Sequence, residues 1–306
     1  MKHPDKWRET VDPFLLPMAR FTLTEVLGYP HAGNDVFHVK GLYEGKETLA
    51  YIKVERQNGA AIGNEVAILR QIGTSVVPKV LDCGVCEDFC PADSKDSDSR
   101  AFSAAEGQPG CRAFSVTQEL PGERLSVILG ENKKLESLSY MEEYGEALAK
   151  IHRLRPSAEP VKDRKFFHAP PTEMLEKSGL EYLKPMFAKA PENPVTCFCH
   201  GDFHYANVLW ENGHISAILD FELAGYGNRD FDIAWAIFRR PGQKFLKSRK
   251  EVEAFLTGYA IAGECNREAV FYYMAQCYVY FLQFQSNEEE YKEYIRSWLK
   301  EWSGQR

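Results

Sequence analysis

The chain has 306 residues, 44% of them hydrophobic and 26% charged, with a formal net charge of −7. This is ordinary soluble composition, and the length allows one large core or two lobes. The negative balance argues against nonspecific nucleic-acid binding and is compatible with a cationic small-molecule partner. No run approaches the roughly 18–20 apolar residues of a membrane span, so no membrane partner is expected. The residues from Met1 to Trp7 lack the apolar centre of a secretory signal, which makes the cytoplasm the expected location.

In chain order, two strand-like runs flank Gly28-Tyr29-Pro30-His31-Ala32-Gly33-Asn34-Asp35. A hairpin here puts Gly33 at its tip and offers the backbone N–H groups of Gly33 and Asn34 to an anion, although an ordinary turn explains the same residues. Asp35 adds a negative charge close by. Leu49 to Val54 alternates as a β-strand and carries Lys53 among apolar neighbours, where an unpaired ammonium is costly. A buried anion removes that cost. Glu65, twelve residues on in the helical run Gly63 to Arg70, is the expected partner. The plainer alternatives are an edge-strand lysine and a solvent-facing helix glutamate.

Four of the eight cysteines, Cys83, Cys86, Cys90 and Cys111, fall in one region. Cys83 and Cys86 have the spacing of half a zinc knuckle, but Cys90 and Cys111 lie too far apart to complete it, so free thiols are expected. Cys197, Cys199, Cys265 and Cys277 read as small buried hydrophobes. Residues 87–110 are rich in Asp, Ser, Ala and Gly and read as a mobile insertion between two strands. Phe114 to Gln118 forms the next strand and leads into Glu119-Leu120-Pro121-Gly122. Because Pro121 has no N–H, a backbone donor there comes from Glu119 or Leu120. Ser139-Tyr140-Met141-Glu142 reads as a capping box opening a helix that runs to Leu154, with His152 in a packing role.

The densest chemistry lies at His200-Gly201-Asp202-Phe203-His204-Tyr205-Ala206-Asn207, followed thirteen residues after Asn207 by Asp220 in Asp220-Phe221-Glu222. Glu211-Asn212-Gly213 between them is a hairpin turn signal. Phosphoryl transfer needs one carboxylate to orient a hydroxyl, plus an amide and a second carboxylate to hold a divalent cation against phosphates. Asp202, Asn207 and Asp220 supply that set. Any one of them alone is more commonly a turn residue. Further helices are expected from Ser248 to Ala262, Arg267 to Phe284 and Glu288 to Trp302.

These motifs resemble the aminoglycoside phosphotransferase and choline kinase family of small-molecule kinases. The match includes H-G-D-x-H-x-x-N, the Asp220-Phe221-Glu222-Leu223-Ala224-Gly225 segment and Arg229-Asp230-Phe231-Asp232-Ile233-Ala234-Trp235. The resemblance implies an α+β, two-lobed, protein-kinase-like fold. Residues 1–118 would form a small antiparallel-sheet N-lobe, and 119–306 a hinge and mainly helical C-lobe. It implies ATP or GTP with Mg²⁺ as cofactors, and Asp202 as the catalytic base. Asn207 and Asp220 would be the metal ligands, with Lys53 and Glu65 positioning the α- and β-phosphates. Gly33 and Asn34 would cover the phosphates, Glu119 or Leu120 would bind the adenine, and Asp232 would support the catalytic loop. Glu222, Tyr226 and Glu289 are acceptor candidates. The aromatics Trp235, Tyr272, Tyr273, Tyr278, Tyr280, Phe281 and Phe284 could box a quaternary amine or simply fill a core. The short stretch after Asp220 and the lack of a following Ala-Pro-Glu separate the chain from protein kinases. The expected activity is transfer of a γ-phosphate to a small-molecule hydroxyl. A nucleotide-binding regulatory protein without turnover is the alternative.

Overall fold

The computed structural model describes residues 11–30, 33–56, 61–86, 112–130, 137–243, 245–284 and 289–302. The expected insertion at 87–110, together with Cys90 and Cys111, lies outside the described residues. The chain divides into two compact units. The first is Met1–Pro121 with Pro156–Ala158 and Ser216–Leu223, and the second is Gly122–Arg155, Glu159–Ile215 and Ala224–Arg306.

The first unit is built on an antiparallel sheet of β1 (Phe21–Gly28), β2 (Asp35–Tyr43), β3 (Lys46–Val54), β4 (Val80–Cys86) and β5 (Arg112–Gln118). The strand order is β1-β2-β3-β5-β4. Strand periodicity sends alternate residues to opposite faces. Phe37, Val39, Ile52, Val54, Phe114 and Val116 therefore share one buried face. The opposite face of β3 and β5 carries Lys53 opposite Ser115. Helix α1 (Ile62–Leu69) packs Ile62 and Val66 against Ala113 and Cys83. Cys86 belongs instead to the core on the first face. The two cysteines with half-knuckle spacing thus point to opposite sides of β4, because they lie three positions apart along the strand. Asp35 does not leave its charge near the hairpin tip. Its carboxylate is fully buried, 2.5 Å from Arg112 Nη2, and accepts from the Tyr29 hydroxyl.

The second unit begins with β6 (Glu123–Arg124), α2 (Leu125–Leu129), α3 (Leu138–His152), α4 (Thr172–Lys177) and α5 (Lys184–Phe187). It continues with β7 (Thr196–Cys199), β8 (Val208–Glu211) and β9 (His214–Ile218), the last of which carries the chain into the first unit. Then come β10 (Gly225–Asn228), α6 (Arg229–Ile237), α7 (Arg249–Ala262), α8 (Arg267–Leu282) and α9 (Glu289–Trp302). β10 pairs antiparallel with β7. An antiparallel sheet followed by helices is the α+β architecture expected from the sequence. Among the described residues no helix is long and apolar enough to cross a membrane.

One helix start differs from expectation. Ser139 lies inside the first turn of α3, whose N-cap position is Ser137 with no capping side chain. The capping box is instead at Ser248 and Glu251, at the start of α7. The aromatic stripe is largely core. Trp235, Tyr272 and Tyr278 are buried, and the Tyr278 hydroxyl accepts from the Arg239 N–H.

Helices α3 and α7 approach closely because glycine faces the partner on each side. A Cβ on Gly258 would lie 1.8 Å from the Glu142 carbonyl oxygen, and one on Gly145 would lie 2.0 Å from that of Phe255. Backbone cannot yield as a side chain can. Gly258→Ala is therefore expected to destabilise the protein by about 3 kcal/mol. Chemical denaturation of the variant beside wild type checks this; an unchanged midpoint would mean that the helices separate freely.

Candidate active site

In the first unit, the lysine of β3 gathers three carboxylates. Lys53 Nζ lies 2.9 Å from Glu65 Oε2, 3.0 Å from Asp220 Oδ1 and 3.0 Å from Glu222 Oε1. Glu65 is buried and its other oxygen accepts the Phe221 N–H at 3.1 Å, so α1 also fixes the segment that bears Asp220. Asp220 adopts a left-handed backbone with φ 67°, costly for a residue with a Cβ, and such strain clusters at functional sites. Burial works against the Lys53 charge, but Glu65, Asp220 and Glu222 hold its pKa well above the usual lysine value. Burial raises the pKa of Glu65, with Lys53 opposing. Three carboxylates share one ammonium here, with oxygens within 4.8 Å of one another, which leaves a negative excess suited to a hard divalent cation.

The other expected residues of this unit fall as follows. Gly33 has φ 117°, which a side chain would not tolerate easily. The Asn34 side chain donates to Glu222 Oε1 at 2.7 Å, so the residue after the glycine is held through its amide. Glu222, expected at the acceptor, is engaged with Lys53 and Asn34. The Glu119 N–H donates to Leu49 O at 3.0 Å and extends the sheet. Of the two donors left open by Pro121, that of Glu119 is thus taken up by the sheet.

In the second unit, β7 ends at Cys199 and the chain turns through Gly201, whose φ is 77°. Asp232 of α6 grips this turn. Its Oδ2 accepts the His200 N–H and its Oδ1 the Gly201 N–H, each at 3.0 Å. The N-cap of α6 is Asn228, which leaves Asp232 free for the loop. His152 lies behind, with Nε2 at 3.0 Å from Asp232 Oδ2 and Nδ1 at 2.7 Å from the Tyr259 hydroxyl.

Burial opposes a charge on His152, but the bond to Asp232, aided by Cys197, lifts its pKa to about 9. A histidine raised in the folded state stabilises fully below its unfolded pKa of about 6.5, and that contribution disappears as pH rises through 9. Wild type is therefore expected to lose on the order of 2–3 kcal/mol between pH 6.5 and 9. Asp232→Asn should flatten the dependence; equal slopes in urea unfolding across that range would disprove the coupling.

Asp202 is held on its side chain as well as through its loop. Trp235 Nε1 donates to Asp202 Oδ1 at 2.8 Å, and His204 Nε2 lies 3.5 Å from Oδ2. Burial alone would raise the carboxyl, but His204, Arg240 and the indole N–H bring its pKa down to about 2. Asn207 donates from Nδ2 to the Asp202 carbonyl at 3.0 Å, and Arg164 Nη2 donates to the Gly201 carbonyl at 2.5 Å. Trp235, His204 and Arg164 were not assigned to this centre from the sequence. Trp235 carried a usable signal, since it lies one turn beyond Asp232 on the same face of α6. Tyr226 lies on β10 opposite Phe198, and Glu289 is exposed at the start of α9, paired with Lys292 at 2.7 Å.

A family model described as "Phosphotransferase enzyme family" matches residues 32–268, well over half of the chain. The chain belongs to that family. No curated protein matches it in sequence. Among solved structures, this phosphotransferase resembles amicoumacin kinase hAmiN, described in complex with AMP-PNP, Ca²⁺ and Ami, at 14% identity and TM-score 0.54. The match covers 99% of this chain and 96% of the other. It also resembles a thermostable mutant of aminoglycoside phosphotransferase APH(4)-Ia, at 16% identity and TM-score 0.56, covering 92% and 96%. A third is macrolide 2'-phosphotransferase MphH from Brachybacterium faecium, at 16% identity and TM-score 0.50, covering 91% and 94%. The fold of this phosphotransferase is accordingly protein-kinase-like.

Proposed function

We propose that the chain is a cytoplasmic, magnesium-dependent small-molecule O-kinase that moves the γ-phosphate of ATP, or of GTP, to an acceptor hydroxyl. The observation that carries this reading is the placement of Asp202, its carboxylate held by Trp235 Nε1 at 2.8 Å on a loop that Asp232 pins at His200 and Gly201. A carboxylate with a lowered pKa is a weak base in the ground state, but it accepts a hydrogen bond from a hydroxyl and so orients a lone pair of that hydroxyl oxygen toward phosphorus. Phosphoryl transfer through a loose transition state asks for little more than that.

Lys53 holds the α- and β-phosphates, kept cationic by the carboxylates around it. Asp220 and the Asn207 amide oxygen hold the magnesium ion, which neutralises charge on the phosphates when bound. The Leu120 N–H takes the base, and the Gly33 and Asn34 backbone covers the phosphates. In the transfer, an O–P bond forms at the acceptor. The bond from the γ-phosphorus to the β–γ bridging oxygen breaks, and the hydroxyl proton passes to Asp202 and on to water. The nucleoside diphosphate leaves.

The test is nucleotide consumption with and without magnesium, with ATP and GTP, across amino alcohols, aminoglycosides, sugars, hydroxy acids and sugar phosphates. Turnover with an acceptor, and slow hydrolysis without one, is the expected result. Nucleotide binding with neither would instead favour a regulatory nucleotide sensor.

A further inference from the structure

Two arginines of the second unit are enclosed near Asp202 without a carboxylate partner among the described residues, although Arg164 Nη2 donates to the Gly201 carbonyl. Arg240 Nη1 and Nη2, and Arg164 Nε, are buried and make no hydrogen bond among the described residues. Neither guanidinium forms an ion pair with a carboxylate among those residues, although Asp202 is the first opposing charge each one feels. Burial lowers the pKa of both. An enclosed charged donor left unmet costs more than a neutral one, so a site that keeps three of them is shaped for something that binds there.

Aromatic rings hold both in place, Phe238 at 4.5 Å from the Arg240 guanidinium and Phe167 at 4.7 Å from that of Arg164, with Trp235 common to the two. The Arg240 guanidinium lies 4.8 Å from the Trp235 ring centroid and that of Arg164 lies 5.5 Å from it, while the same indole donates to Asp202. Phe166 stacks on Trp235 at 4.5 Å and 9°. With Phe166 and Arg240 against it, this indole is not an open wall for a quaternary amine. Two of the carboxylates expected to meet a cationic acceptor are already paired, Glu222 with Lys53 and Glu289 with Lys292. Guanidinium forks match the planar oxygens of carboxylates and the oxygens of phosphates.

We propose that Arg240 and Arg164 bind an oxyanion beside Asp202, and that this oxyanion is a carboxylate or phosphate carried by the acceptor whose hydroxyl Asp202 orients. The acceptor class is then hydroxy acids and polyol or sugar phosphates. This inference rests on the kinase reading above and sharpens it.

The experiment uses the full chain at constant ionic strength, titrated with glycerate, inorganic phosphate and ethanolamine and read by tryptophan fluorescence and thermal shift. Wild type is compared with Arg240→Met, Arg240→Lys and Arg164→Gln, and the Kd for magnesium–ATP is measured in each. Glycerate and phosphate should bind wild type and ethanolamine should not. Arg240→Met should weaken the anions at least tenfold and leave the magnesium–ATP Kd within twofold. Anion affinity equal in wild type and variant, or preference for ethanolamine, overturns the proposal. A parallel tenfold loss of magnesium–ATP affinity overturns it too, since the arginines would then serve the phosphates of the nucleotide. If Arg240→Met does not fold, Arg240→Lys and Arg164→Gln decide by the same criteria. Failure of wild type to bind magnesium–ATP strikes the kinase reading alone, because the anion titration is read separately.

Discussion

Asp202→Ala is expected to lower turnover by roughly 10²–10⁴-fold while leaving the affinity for magnesium–nucleotide within about twofold. The asymmetry follows from where the contacts are. The loop backbone is gripped at His200 and Gly201 by Asp232, and those bonds do not involve the Asp202 side chain. Truncation at Cβ therefore removes a carboxylate and leaves its support. The phosphate contacts assigned to Lys53 and the metal contact assigned to Asp220 remain. The Trp235 indole loses its acceptor, a modest cost beside the loss of the group proposed to orient the hydroxyl. Steady-state kinetics with the best acceptor, beside a nucleotide titration by calorimetry, provides both numbers. Turnover within tenfold of wild type would remove Asp202 from the chemistry.

Lys53→Met should be nearly as severe for turnover, and it has a second signature in stability. The ammonium is the shared counter-charge of Glu65, Asp220 and Glu222. Without it, burial raises the Glu65 carboxyl further, since Lys53 is the main influence holding it down. A carboxyl raised above its unfolded value stabilises below that unfolded value, and the contribution is lost as pH rises through the folded one. The variant is thus expected to be more stable at pH 5 than at pH 8, with weaker magnesium–nucleotide binding and turnover down by about 10²-fold or more. Adding Glu65→Gln should remove most of the pH effect. Thermal unfolding across that range checks it; a flat profile for Lys53→Met would show that Asp220 and Glu222 do not press on Glu65.

Much of this arrangement was legible in the chain because it depends on spacing. A lysine inside a β-rich run and a glutamate within the next helix lie on facing elements once α1 covers the Lys53 side of β3. Alternation along the strand carries that information. The loop from His200 to Asn207 is legible for the same reason, as a dense run of polar side chains. What escaped were contacts between residues far apart in sequence, or choices among several nearby donors. The sequence places the Asp35 charge beside the hairpin because nothing in its neighbourhood predicts Arg112, seventy-seven residues away, as its counter-ion. Arg164 and Arg240 carried no local pattern, since an arginine after a loop or helix is ordinary until its surroundings are known. The start of α3 was misplaced because a Ser-x-x-Glu box fits the sequence two positions after the N-cap that packing selected. The hydrogen bond of Glu119 to Leu49 depends on strand register, which composition does not encode.

The triple grip of Asp232 on His200, Gly201 and His152 separates what this protein can vary from what it cannot. A loop whose backbone is pinned to a buried helix inherits its geometry from the core, and changes in that carboxylate are felt as loss of stability. Arg164 and Trp235 reach the same loop through their side chains, and Arg240 lies against the Trp235 ring. Substitution there leaves the pinned backbone in place. Drift in acceptor preference should therefore accumulate in those side chains first, and a mutational library aimed at new acceptors would be best spent on them while positions 200, 201 and 232 are held fixed.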